Sequence, residues 1–304
     1  MKILVTGISG YVGSQLTPRL ARDGHDVVGF ARDPSRVSID VPVVRGDAVT
    51  GDGLEEAMAG VEVAYFLIHS MESASNGHFE TSERTAAENF GRAARAAGCR
   101  RIVYLGGLVP ADGPASEHLA SRLEVEEILL RACPDSVAFR ASIVIGAGSR
   151  SFRFLVRLVE RMPVLIVPGW GTHVTRTLDE RDMLELLARA ATNDRVSGQS
   201  LDLGGPDTVS YGELIDRIRD LMLLDRPTFA FKHLTVTPIA SVVSSAIAGE
   251  DPGLIDPLME SLNKDLLPRD DRAAELLGVR MHSLDSSIEH ALREWEQHEK
   301  LAAR

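Results

Sequence analysis

The chain has 304 residues, 44% of them apolar and 25% charged, which suits one large α/β domain or a domain with an appended lobe and excludes a disordered chain. A net charge of −11 argues against a nucleic-acid partner, because phosphate binding needs clustered Lys and Arg, and the Arg-rich stretch Arg92 to Arg101 alternates with Ala like a solvated helix face. No apolar run reaches the ~20 residues of a membrane helix. The chain runs straight into a strand without a charged leader, so no signal peptide is expected, and Cys99 and Cys133 share no metal or redox spacing, which fits a reduced, cytoplasmic compartment.

Along the first half, β-branched runs alternate with helical patterns. Strands are predicted at Ile3–Thr6, Asp26–Ala31, Pro42–Arg45, Val63–Ile68, Arg101–Leu105 and Ser136–Arg140, and helices at Tyr11–Asp23, Leu54–Ala59, Ser82–Ala97 and Glu117–Arg131. The run Val63-Ala64-Tyr65-Phe66-Leu67-Ile68 has no polar alternation, as expected of a strand covered on both faces. After Gly146 a helix is expected near Phe152–Met162, then a seventh strand at Val164–Val167 and a loop from Pro168 to His173. Helices follow at Arg181–Thr192, with Asp182 as its cap, and at Tyr211–Leu223; then come a strand-like Thr228–Leu234 and a mainly helical tail ending in Leu284–Lys300. This is an α/β fold, a Rossmann-type doubly wound parallel sheet with a smaller, mainly helical C-terminal lobe. The core is expected over residues 1–150, with 151–304 completing the sheet edge and forming a substrate lobe.

Thr6-Gly7-Ile8-Ser9-Gly10-Tyr11-Val12-Gly13 follows a buried strand and opens an amphipathic helix. In that setting Gly7 permits a tight turn, Gly10 lets a pyrophosphate approach the backbone, and Gly13 lets helix and sheet pack closely. Ser9, Tyr11 and Val12 complete a loop whose N–H groups and helix N-terminus suit a phosphate. NAD sites place a carboxylate at the end of the second strand, whereas here Ala31 and Arg32 stand there, with Asp33 one residue on. NADP is therefore expected in preference to NAD. Asp47, beside Ala48, is placed either to reach the adenine amino group or to cap its own loop, and Leu67, Ile68 and His69 would border the adenosine ribose.

These pieces resemble an atypical short-chain dehydrogenase/reductase of the NmrA-like, NAD(P)-binding kind. The resemblance extends over nearly the whole chain and includes Ala31–Pro34, Asp47-Ala48, Tyr65–Met71, Tyr104–Leu108, His118–Leu129, Arg140–Gly146, and Leu203–Pro206 with Ser210-Tyr211. It implies cofactor contacts from Gly106, Gly107, Ala141 and Ile143. Standard members of that superfamily use a Tyr-x-x-x-Lys pair and an upstream Ser; here the aligned positions are His118-Leu119-Ala120-Ser121-Arg122, and glycines take the Ser position. His118 and Arg122 share one helix face. Arg122 keeps its charge and can hold ribose hydroxyls or a phosphate, while His118 is either a general acid or a ribose contact.

Trp170, His173 and Arg176 are candidate substrate contacts, with packing of Trp170 in the lobe and pairing of Arg176 to Asp179 or Glu180 as the structural alternatives. No His-x-x-x-His or Cys/His cluster suggests a metal, and no G-x-S-x-G elbow suggests a serine hydrolase. The expected activity is reduction of a small or medium apolar carbonyl, quinone or enone; the alternative is a non-catalytic NADP(H)-binding redox sensor or regulator. Small-molecule substrate is the expected partner, and no feature of the sequence specifies an oligomeric state.

Overall fold

The structure is a computed structural model that describes residues 1–68, 79–110, 113–114, 117–231 and 262–299. Its first half runs β1 (Lys2–Thr6), α1 (Tyr11–Arg22), β2 (Asp26–Ala31), β3 (Val43–Arg45), α2 (Leu54–Met58), β4 (Val63–Phe66), α3 (Phe79–Ala96), β5 (Arg101–Gly107), α4 (Glu117–Ala132) and β6 (Val137–Ala141). Then follow β7 (Val144–Ile145), α5 (Arg150–Arg161), β8 (Leu165–Pro168), β9 (Val174–Thr175), β10 (Leu178–Asp179), α6 (Glu180–Ala190) and β11 (Gln199–Leu203). The rest comprises β12 (Val209–Ser210), α7 (Tyr211–Leu221), β13 (Thr228–Phe231), α8 (Arg272–Leu277) and α9 (Leu284–His298). The predicted tail between Phe231 and Leu262 lies outside the described residues.

Seven strands form one parallel sheet in the order β3-β2-β1-β4-β5-β6-β11. Chain order reverses between β1 and β4, and it is outside the carboxyl ends of the strands at such a point that doubly wound folds bind ligands. Alternation along each strand sends successive side chains to opposite faces. Ile3, Val5, Val63, Tyr65, Val103, Leu105 and Phe139 meet α1 and α6 through Leu16, Leu20, Met183 and Leu186. Leu4, Val28, Ala64, Phe66, Ile102 and Tyr104 meet α3 and α4 through Ala86, Phe90, Val125 and Leu129. Both faces are dry, which is why β4 has no polar alternation. A separate core, with Phe152, Leu155, Trp170, Tyr211, Leu214, Ile288 and Trp295, holds the C-terminal lobe.

Three expectations change. The strand expected at Val164–Val167 is β8, which pairs with β13 away from the main sheet. The seventh place belongs instead to β11, whose Ser200 and Asp202 hide its strand character in the sequence. Both polar side chains are partnered where they sit: Ser200 donates to Glu126 at 2.5 Å, and Arg269 grips buried Asp202 through Nε at 2.7 Å and NH2 at 2.8 Å. Arg101 is not part of a solvated face. It is fully buried and donates to the carbonyls of Asp135, Ala190 and Asn193, to the Asp194 carboxylate and to the Ser197 hydroxyl. It thus supplies donors to carbonyls at the end of α6 that the helix leaves unpaired. The cap of α6 is Asp179, which accepts from Arg181 N at 2.7 Å, whereas Asp182 binds His282 through its backbone N at 2.7 Å and its ring Nδ1 at 2.6 Å. Among the described residues no helix is long and apolar enough to cross a membrane.

Candidate functional site

The glycine loop sits at the point of strand-order reversal, between β1 and α1. Gly7 has φ +66°, a conformation that side chains disfavour, and a Cβ there would collide with the Leu67 carbonyl at the end of β4. A Cβ on Gly13 would strike the Gly7 carbonyl, so α1 can approach the loop this closely only through glycine. Gly10 differs: its φ is −84°, its ψ 171°, and the nearest atom to an added Cβ is the Gly7 oxygen at 3.1 Å. Its constraint comes from outside the backbone, since Ser9 and Gly10 form an exposed apex. Thr6, which sequence reasoning did not single out, stitches the strand ends together. Its hydroxyl donates to the Tyr65 carbonyl at 2.9 Å and accepts from Leu67 N at 3.2 Å.

No side chain caps α1, and no acid stands in its first turn. The first N–H groups of a helix have no intrahelical partner and carry a partial positive charge. The loop is thus an open cradle that a Cβ at Gly10 would begin to fill, and it fits a dinucleotide pyrophosphate.

At the end of β2, Arg32 is exposed, and no ion pair of it is seen among the described residues. Asp33 is occupied: it caps the short turn Pro34–Arg36 by accepting from Ser35 N at 3.1 Å and Ser35 Oγ at 2.6 Å. Those bonds, helped by the nearby Arg36 and Arg45 guanidiniums, hold its carboxyl below the usual carboxylate range. Asp47 likewise serves its own loop, accepting from Val49 N at 2.8 Å, and Ala48 is buried beneath it. Leu67 is buried, and Ile68 lines a narrow cavity with Phe66, Glu83, Ala86, Tyr104 and Val125. His69 lies outside the described residues.

At the end of β5 the glycines that replace the usual Ser have a steric cause. A Cβ on Gly107 would come 2.7 Å from Leu119 Cδ2, and one on Gly106 would come 2.9 Å from the Tyr104 ring. Helix α4 therefore packs closely against this strand end, and a side chain there would have to displace Leu119 or Tyr104. Arg122 runs past the same place, with Cδ 4.0 Å from the Gly107 Cβ position, so the helix brings it to the carboxyl edge of β5. Ser121 turns the other way and donates to buried Glu83 at 3.1 Å. His118 lies on the first turn of α4, one turn before Arg122; its side chain is outside the described residues.

The lobe candidates are engaged with the lobe itself. Trp170 is buried in its core with its ring 6.4 Å from that of Tyr211, edge to face, and Ile143 adds its side chain to the same core. His173 Nδ1 lies 3.1 Å from Asp265 Oδ1, and Arg176 bonds Gly205 O at 2.6 Å and Asp271 at 2.7 Å rather than Asp179 or Glu180. Ala141 ends β6 beside Gly107, where its carbonyl accepts from Leu108 N at 3.0 Å.

Residues 7–129 match the sequence family described as NAD(P)H-binding. That match takes in the glycine loop and strands β2 to β5 of the sheet, and solved structures share the fold of the whole chain. A UDP-glucose 4-epimerase from Thermotoga maritima superposes with a TM-score of 0.74 over 98% of this chain and 99% of its own, at 13% identity. The NAD complex of a Bacillus cereus UDP-glucuronic acid 4-epimerase gives 0.73 over 100% and 99%, at 18% identity. These likenesses are of fold. Sequence relatives include a ceramide reductase of Caulobacter vibrioides, 28% identical over 62% of this chain and 61% of the relative. A 2-alkyl-3-oxoalkanoate reductase of Stenotrophomonas maltophilia is 28% identical over 72% and 74%. The chain spans less than two thirds of the first of these relatives and 22% of a Mycobacterium tuberculosis protein that it matches at 27% identity.

Proposed function

We propose that this protein is an NADP(H)-dependent reductase of a small or medium apolar carbonyl, quinone or enone, working in the cytoplasm. The observation that carries the cofactor choice is the contrast at the end of β2: Arg32 is exposed and has no ion pair among the described residues, while the carboxylate of Asp33 accepts from Ser35. A 2′-phosphate would find an exposed cation there, with the neighbouring carboxylate turned to Ser35. Gly7, Ser9, Gly10, Tyr11, Val12 and Gly13 would hold the pyrophosphate, and Arg122, beside Gly107, the ribose on the nicotinamide side. Asp47, Ala48, Leu67, Ile68 and His69 would border the adenosine half, and Gly106, Ala141 and Ile143 the nicotinamide half. The named reductase relatives support hydride chemistry, which the nicotinamide supplies when bound. His118 shares the helix face of Arg122 and would offer the proton, with Trp170, His173 and Arg176 on the substrate side.

A second reading has its own support. The glycines at the place of a catalytic Ser let Leu119 and Tyr104 pack over the strand end, as they would in a dinucleotide-binding sensor that never needed one. NADPH consumption against quinones, enones and aldehydes separates the two. Turnover of about 1 per second or more is expected of the enzyme, and His118→Ala should lower it by ~10²–10⁴. Binding without turnover across the panel would leave the sensor; an unchanged rate in His118→Ala would remove that residue from the mechanism.

A further inference from the structure

Tyr11 is the first residue of α1, so its backbone belongs to the phosphate cradle while its side chain points toward the C-terminal part of the chain. The ring occupies space left by two glycines after β7: a Cβ on Gly148 would lie 2.5 Å from Tyr11 Cδ2, and one on Gly146 would overlap the hydroxyl. That hydroxyl donates to Glu180 Oε2. Glu180 is the first residue of α6 and is 4% exposed. The groups that face it are Tyr11 from α1, Asp179 from its own cap, and Glu294 and His290 from α9. Asp179 is already paired with Arg181, and among the described residues no Lys or Arg pairs with Glu180 or Glu294. His290 Nε2 stands 4.0 Å from Glu294 Oε2 at the outer end of the group.

Two carboxyls thus meet, Glu180 buried and Glu294 partly exposed, with no Lys or Arg beside them among the described residues. Burial, and then the bond to Glu294, push the Glu180 carboxyl up to about 7, so near neutrality it keeps a proton. Glu180 then accepts from Tyr11 and shares its proton with Glu294.

We propose that Glu180 is a positioning residue for the phosphate loop, holding the start of α1 through Tyr11, and that dinucleotide affinity falls when the proton it shares with Glu294 is lost. The proposal rests on the reading that the glycine loop binds the dinucleotide. With the proton gone, two carboxylates repel each other beside the N-terminus of α1. The added negative charge opposes a pyrophosphate and offsets the helix dipole that attracts it. The sign follows from the direction of the shift. The proton is bound more tightly in the folded chain than in the unfolded one, so folding stability also declines as pH rises from the ordinary Glu value toward about 7.

The test is NADPH titration by protein fluorescence from about pH 5.5 to 8.5 on wild type, Glu180→Gln, Glu294→Gln, His290→Gln and Tyr11→Phe. The 2′-phosphate of NADPH titrates in every variant alike, so each profile is compared with that of Glu180→Gln. Wild-type affinity should fall roughly 3–10-fold across neutrality, the scale of one partly screened charge about 10 Å away. Glu180→Gln, which keeps the acceptor for Tyr11 and donates to Glu294, should hold the low-pH affinity without that fall. Glu294→Gln should move the inflection to lower pH, His290→Gln should leave it in place, and Tyr11→Phe should bind more weakly at every pH. If Glu180→Gln does not fold, as judged by thermal melting, the position of the Glu294→Gln inflection decides. Identical profiles for wild type and Glu180→Gln, or loss of the inflection in His290→Gln, would overturn the proposal. If wild type binds no dinucleotide at any pH, the reading of the loop fails and this proposal with it.

Discussion

Helices α1 and α7 begin in opposite ways. At α7, Ser210 accepts from Glu213 N at 3.1 Å while Glu213 reaches back to Ser210 N at 2.7 Å, a complete capping box. The α1 terminus has neither a capping side chain nor an acid in its first turn, and its apex residues Ser9 and Gly10 are exposed. A helix that is only structural satisfies its own first N–H groups. One that leaves them open at the strand-order reversal of a doubly wound sheet is prepared for a ligand of opposite charge. The two halves of the molecule repeat the contrast. Arg32 of the first half is exposed at its strand end with no ion pair among the described residues, whereas Arg176 and His173 of the lobe are bound to Asp271 and Asp265.

Substitutions at these places sharpen the comparison. The largest effect is expected from Gly10→Val. Its φ of −84° suits a side chain, and the Gly7 oxygen 3.1 Å from the new Cβ need give only a little, so the chain should still fold with a modestly lowered melt, yet a branched group in the cradle should weaken NADPH by at least ~100-fold, about 2.8 kcal/mol. Calorimetric affinity within about threefold of wild type would mean that the cradle is elsewhere. Arg32→Ala should come next, with a loss of roughly tenfold for NADPH and little for NADH, the worth of one charge-assisted contact. Equal losses for both cofactors would break the assignment of Arg32 to the 2′-phosphate. The smallest effect belongs to the other helix. Ser210→Ala should cost about 1 kcal/mol of stability in a denaturant melt and leave cofactor affinity alone. A change in affinity there would erase the distinction between the two helix ends.

What could be seen in the sequence was whatever a local rule forces. Consecutive apolar residues announced β4 because both faces of a parallel sheet are covered. The spacing of Gly7, Gly10 and Gly13 announced the loop because two of the three positions exclude any side chain and the third faces outward. Local rules miscarried where distant partners pay for an exception. Ser200 and Asp202 disguised β11 because the side chains that satisfy them, Glu126 and Arg269, lie 74 and 67 positions away. Arg101 looked solvated because its acceptors come from the end of α6 and the turn after it.

The sequence by itself determined the alternation of strands and helices, the place of the phosphate loop, and the absence of a Tyr, Lys and Ser from their usual positions. Each of these follows from residue type and short spacing. Only the tertiary structure decided that Ser121 turns to Glu83, that Leu119 packs over the Gly107 position, and that Tyr11 meets Glu180. Those outcomes depend on which way side chains point and on contacts between residues up to 169 positions apart, and neither is set by the residues beside them in the chain.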